Sequence, residues 1–197
     1  MIKELTSRQF EIIQSAGKIL STSGVSGLTI KNLAKEMKFS ESALYRHFKG
    51  KEDILVSMLE YLADNMDQRY SNIASQDLSS LEKFNLFFIN QFEFFQANPH
   101  FVVAVFTDGL MEESERINNT ILNLMAIKMK HLVPVIADAQ EEGVFTNKIK
   151  TEEILHITMG AFRLQMFKWR MTKFHFNIVE TGAEMLEAIL TLIKTEK

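Results

Sequence analysis

Residues 39–55 read FSESALYRHFKGKEDIL. Ser, Tyr, Arg, His and Lys side chains crowd this stretch, interleaved with Ala43, Leu44 and Phe48. Hydroxyl, phenol, guanidinium, imidazole and ammonium groups are the donors that suit phosphate oxygens and base edges. A helix that serves only a core carries a wider apolar stripe. This polar face is suited to lying against a partner rather than to catalysis. The chain holds no HExxH, no Gly-rich phosphate loop and no carboxylate pair spaced with His as metal ligands. Its five His are scattered and it has no Cys, so neither a thiolate site nor a disulfide exists. No catalytic residue, metal or cofactor is assigned, and the chain is not read as an enzyme.

The elements that must position this stretch are helices. Pro occurs twice, at Pro99 and Pro134, and no segment alternates in the manner of a strand, so the fold class is all-α. Thr6 with Gln9 forms a capping box for a helix from Ser7 to Ser23, which Gly24 stops. Thr29 caps a second helix and Ser40 a third, running from about Glu41 to Phe48. The connection Lys38-Phe39 is too short for antiparallel packing, so helices two and three cross steeply as a helix-turn-helix. In that unit the second helix enters the major groove, and the capping hydroxyls and N–H groups of Thr29 and Ser40 suit phosphates. A long fourth helix follows from Glu52. Further helices are expected over Ser80–Ala97, Pro99–Leu110, Ser114–Glu142 (kinked or broken at Pro134), Thr151–Lys173 and Asn177–Thr195.

The run from Thr29 to Leu55 resembles the DNA-binding signature of the TetR (tetracycline-repressor-like) transcriptional regulators. The matching residues are Thr29, Leu33-Ala34, Phe39-Ser40, Tyr45-x-His47-Phe48 and Lys51-Glu52-x-Ile54-Leu55. Departures are Met37-Lys38 where the family has Ala-Gly, Phe39 for Val, and Ser42 where Gly is common; Lys38 bears on the geometry of the turn. The resemblance implies an N-terminal three-helix DNA-binding domain over residues 1–56 and a helical ligand-binding and dimerisation domain over 57–197. It places Thr29, Ser40, Tyr45, His47 and Lys51 on phosphates. It places Glu41, Ser42, Ala43 and Arg46 at bases, with Arg46 able to serve either role. The implied protein is a ligand-responsive regulator, a repressor, that binds double-stranded DNA at a near-palindromic operator as a homodimer. The alternative is a small-molecule-binding helical protein whose helix-turn-helix does not bind DNA.

Charge and composition agree with this division. Residues 1–56 hold nine Lys/Arg against six Asp/Glu, and the rest thirteen against nineteen: a basic head on an acidic body. Eight Phe lie between Phe84 and Phe106, and Met is frequent further on. Such stripes build helical cores, and they also build adaptable apolar cavities. Phe88, Phe92, Met125, Met129, Met159, Phe162 and Met166 are the candidate lining of an apolar small-molecule effector site, with His156, Arg163 and Gln165 as polar partners. The last two helices are apolar on more than one side, which places Ile154, Ile157, Ala161, Leu164, Met185 and Ile189 at a twofold dimer interface, with Gly182 and Ala183 permitting close approach. The N-terminus has no apolar run of secretory type, and no stretch approaches the ~18 apolar residues of a membrane span. A cytoplasmic protein without membrane contact is expected.

Overall fold

Thr6 opens the first helix as a reciprocal cap: its hydroxyl accepts from the Gln9 N–H and the Gln9 side chain accepts from the Thr6 N–H. The computed structural model describes residues 5–106 and 114–195. Among these, the helices are α1 (Ser7–Gly27), α2 (Ile30–Met37), α3 (Glu41–Tyr45), α4 (Lys51–Ala74), α5 (Ser80–Ala97), α6 (Pro99–Phe106), α7 (Glu115–Glu141), α8 (Thr151–Met171) and α9 (Ile178–Ile193). No strand is present among the described residues; Phe145 and Lys194 form one isolated antiparallel bridge. The part of the sixth expected helix beyond Phe106 lies outside the described residues.

The chain divides into two compact units, one of residues 1–65 and 98–124, the other of residues 66–97 and 125–197. In the first, Ile12, Ile13, Ala16 and Leu20 of α1 are buried with Leu33, Ala34, Leu44, Phe48 and the α4 stripe Ile54, Leu55, Met58, Leu59 and Leu62. Gly24 (φ 66°) breaks α1 where the sequence places a stop, and one further turn of helix follows it. Close approach of α6 to α1 depends on Gly17: a Cβ there would lie 2.7 Å from the His100 ring. Burial lowers the His100 imidazole to about 4, so the ring packs neutral.

In the second unit, phenylalanines of α5 meet α8 and α9. Phe162 sits 5.0 Å from Phe92, 6.0 Å from Phe88 and 6.3 Å from Phe95, centroid to centroid. Such tilted pairs add about 1 kcal/mol each beyond the area they bury. Gly182 of α9 lies over the Phe92 ring, where a Cβ would come within 2.5 Å of Cε2. The close approach read from Gly182 is therefore made inside the subunit, by α9 on α5. Phe92 is fully buried against Phe162 and has nowhere to retreat. Gly182→Ala should cost about 2 kcal/mol by overpacking and lower Tm by roughly 4–8 °C, read by thermal unfolding.

Two expectations are corrected. α3 ends at Tyr45, three residues early, because Phe48 reaches the core from a turn: the N–H groups of His47 and Phe48 both donate to the Leu44 carbonyl. Of the kink or break expected at Pro134, the break is not found: α7 runs unbroken through it. Pro134 and Lys130 are both exposed, so water can serve the carbonyl that lacks a helical N–H partner. Against the expectation that no stretch approaches a membrane span, α7 is long and apolar enough, by length and composition only, to cross a membrane. Its Leu132, Ile136 and Ala139 belong to the core of the second unit.

Candidate DNA-binding surface and effector region

The helix-turn-helix is assembled by caps. Thr29 Oγ1 accepts from the Asn32 N–H at 3.1 Å, and Ser40 Oγ accepts from the Ala43 N–H at 3.2 Å. Each hydroxyl keeps its own proton to donate. Ser40 Oγ also lies 2.9 Å from Ser42 Oγ. Between them the chain turns at Lys38, which takes the left-handed conformation (φ 56°, ψ 40°) a glycine would take there. The turn closes through the Phe39 N–H to the Ala34 carbonyl at 2.8 Å, and the Arg8 guanidinium sits 5.2 Å from the Phe39 ring centroid. Lysine thus satisfies the geometry for which the family uses glycine.

The side chains expected at DNA share one short segment. Thr29, Ser40, Glu41, Ser42, Tyr45 and Arg46 are exposed; Ala43, His47 and Lys51 are half-buried. Tyr45 shows 54% of its surface while the adjacent Leu44 shows none, so α3 is anchored by one face and offers the other. The His47 carbonyl accepts from Gln9 Nε2 of α1 at 3.4 Å. Where α4 begins, Asp53 accepts from the Lys49 N–H at 3.2 Å and from Arg116 Nη2 at 3.0 Å. Burial pushes the Asp53 carboxyl up, but the Arg116 and Lys49 hydrogen bonds and charges together hold it below the usual range. Glu52 takes the Ser114 hydroxyl. The first turn of α4, with Lys51 in it, is thereby tied to the first turn of α7.

The proposed effector residues separate into two groups. Phe88, Phe92, Phe162 and Met166 come together as core, and Met159 is half-buried. Met125 and Met129 lie on the outer side of α7 with Leu122, at 45% and 52% exposure. Gln165 donates to Thr181 Oγ1 at 2.7 Å, while His156 and Arg163 are exposed. Among the interface candidates, Ile157 and Leu164 are exposed, Ala161 and Met185 half-buried, and Ile154 and Ile189 are buried within the chain itself. Phe167 and Met171 extend the exposed face of α8.

One cluster in the second unit escapes a reading by motif. Arg69 of α4 donates to the side chain of Asn90 and, at 3.0 Å, to Gln91 Oε1, and its guanidinium sits 4.3 Å from the Phe94 ring centroid. Burial lowers the Arg69 guanidinium and raises the enclosed Tyr70 phenol. Lys128 Nζ lies 4.4 Å from the Phe162 ring centroid. One turn away, Asp67 accepts from Lys130 at 2.9 Å and meets His131 Nε2 at 2.6 Å, and these bonds hold its carboxyl below the usual range. The only sequence signal for this cluster is a lone cation in the run Met125-Ala126-Ile127-Lys128-Met129. No group of three metal-ligating side chains occurs among the described residues.

The family model described as bacterial regulatory proteins, tetR family, matches residues 12–58, and that described as YsiA-like protein, C-terminal region, matches 58–192. The nucleoid occlusion factor SlmA of Vibrio campbellii is 32% identical over 120 residues, covering 60% of this chain and 61% of that protein. The chain thus spans about three-fifths of the length of the first curated relatives it matches. Among solved structures, the ketosteroid transcriptional regulator KstR2 of Mycobacterium tuberculosis superposes with a TM-score of 0.82 at 20% identity, covering 98% of each chain. The transcriptional regulator FadR of Bacillus subtilis, in complex with stearoyl-CoA, gives 0.80 at 16% identity over 92% of this chain and 97% of its own.

Proposed function

Because this chain belongs to the TetR family of bacterial regulatory proteins, we propose that it is a DNA-binding transcriptional regulator, a repressor that grips a near-palindromic operator as a homodimer and lets go when a small effector binds. Residues 1–56 serve as the reading head and 57–197 as the sensing and dimerising body. The protein works in the cytoplasm and needs no catalytic group. The observation that carries this reading is α3: its inner face is fixed by Leu44, and Ser40, Ser42, Tyr45 and Arg46 stand exposed on a turn closed by Lys38.

In this reading Thr29, Ser40, Tyr45, His47 and Lys51 hold phosphates and set the docking register. Glu41, Ser42, Ala43 and Arg46 face base edges and set sequence choice. The effector must bind the form with its two heads out of register better than the DNA-competent form, or it shifts nothing. Displacement then reaches the head through α4, which belongs to both units.

Fluorescence anisotropy across a salt series tests this, on a duplex selected from genomic fragments and on a random one. Each phosphate contact releases counterions, so Lys51→Ala should weaken both duplexes about tenfold and lower the salt slope by roughly one per subunit. Ser42→Ala should leave that slope unchanged and alter only the ratio between duplexes. Unchanged DNA binding in both variants would overturn the assignment and leave the body as a small-molecule binder with an idle head.

A further inference from the structure

Lys38 combines a backbone conformation that favours glycine, φ 56° and ψ 40°, with a long charged side chain. The fold makes no use of that side chain. It is exposed, and among the described residues its ammonium has no ion pair and no hydrogen bond. The turn is closed by the main chain instead, through the Lys38 N–H to the Lys35 carbonyl at 3.2 Å and the Phe39 N–H to the Ala34 carbonyl at 2.8 Å. Met37 and Phe39, on either side, are half-buried and line one groove with Arg8, Ser15 and Lys18 of α1. The chain is therefore fixed here without the Lys38 stem, and a glycine would take the same path at lower cost.

The surrounding charges give the ammonium a direction. Lys31, Lys35 and Lys38 follow one another at spacings of four and three, so they share a face of α2. All three are exposed, and none meets a carboxylate among the described residues. Glu36, the carboxylate of α2, is engaged by Lys18 of α1 at 3.3 Å. This row of cations begins beside the cap Thr29 and ends beside the cap Ser40. From Lys38 to Ser40 is two peptide units, at most about 7 Å between Cα atoms, and a four-carbon stem carries the ammonium further. A phosphate at the Ser40 hydroxyl is within that reach. Glu41, exposed in the first turn of α3, would repel such a phosphate, and a cation at position 38 offsets it.

We propose that Lys38 is a phosphate-binding residue of the DNA interface: its ammonium and the Ser40 hydroxyl hold one stretch of backbone, and Lys35 and Lys31 continue the track along α2. The inference rests on the DNA-binding reading above and adds to it a contact at the turn itself. Cations about 6 and 4.5 Å apart along a helix axis suit a partner whose charge repeats along a line, as the phosphates of a duplex strand do.

Anisotropy with the selected duplex across a salt series, and thermal unfolding, are read together on the full-length protein. Lys38→Gly keeps the turn and removes the cation. DNA affinity should fall about tenfold and the salt slope by roughly one per subunit, with a Tm no lower than that of wild type. Lys38→Asn, neutral and also at ease in the left-handed region, should match it, which separates the lost charge from the freedom glycine adds. Lys38→Arg should keep the wild-type slope. A wild-type slope in Lys38→Gly and Lys38→Asn overturns the proposal, whether or not affinity falls, because a loss without a change of slope reports the turn and not a phosphate. The DNA-binding reading fails differently: wild type itself would then show no salt-dependent binding to the selected or the random duplex.

Discussion

Tyr45→Ala should leave thermal stability within about 1 °C and weaken operator binding about a hundredfold. The asymmetry follows from where the ring sits. Tyr45 is the large side chain on the outward face of α3: 54% of its surface is exposed, beside a Leu44 with none. Removing an exposed side chain from a short helix disturbs little core. If its phenol meets a phosphate, each subunit loses a hydrogen bond to a charged acceptor worth about 1.5 kcal/mol. Twofold symmetry makes that loss twice, near 3 kcal/mol, or about a hundredfold. Tyr45→Phe separates the causes: it should reproduce most of the loss if the hydroxyl matters and little of it if the ring only fills space. Gel-shift titration with the selected duplex reads both. Wild-type affinity in Tyr45→Ala would remove α3 from the DNA interface.

Leu164→Glu should yield a folded monomer that no longer holds the operator at nanomolar to micromolar concentrations. Leu164 is 65% exposed, so the charge meets water in the isolated chain and its helix content by circular dichroism should not change. The effect belongs to the pair. Ile157, Leu164 and Met171 are seven residues apart in turn, an exposed apolar stripe along α8 such as a second copy covers. Burying a leucine contributes about 1.5–3 kcal/mol. Losing it from both subunits, and setting two carboxylates near a symmetry axis, should weaken the dimer about a thousandfold or more. DNA affinity then falls with it, because a head that has lost its mate also loses the high local concentration that seats the second half-site. Sedimentation velocity checks the first step and anisotropy the second. A dimer unaffected by Leu164→Glu places the interface elsewhere.

What could be read in advance was local. Thr6, Thr29, Ser40 and Asn177 are capping residues because each reaches an N–H two or three residues on, a bond written within four letters of sequence. The break that Gly24 makes in α1 is equally short-range. The misses involve partners far along the chain. Gly182 looks like any small residue until Phe92, ninety positions earlier, is found beneath it. Pro134 reads as a breaker unless its exposure is known. Phe48 belongs to the core without belonging to a helix. The Arg69–Gln91–Lys128 cluster joins three helices with no motif in any of them. On the candidate DNA surface the residue types were legible, whereas their exposure required the fold. In the effector region, placing Met125 and Met129 on the outer side of α7 required knowing which way the helix faces.

Lys38 carries one more implication. A left-handed backbone costs a residue with a side chain about 1–2 kcal/mol, and the unfolded chain is free of that cost. The elbow between α2 and α3 is thus a local spring, held shut by the Phe39 N–H on the Ala34 carbonyl and by the ring beneath Arg8. Transient opening of the head should begin there, at the amides of residues 38–40, before α1 or α4 loosens. A duplex clasping Thr29 on one side of the elbow and Ser40 on the other would quench that fluctuation, so that a strained joint of the head becomes quiet when it finds its site.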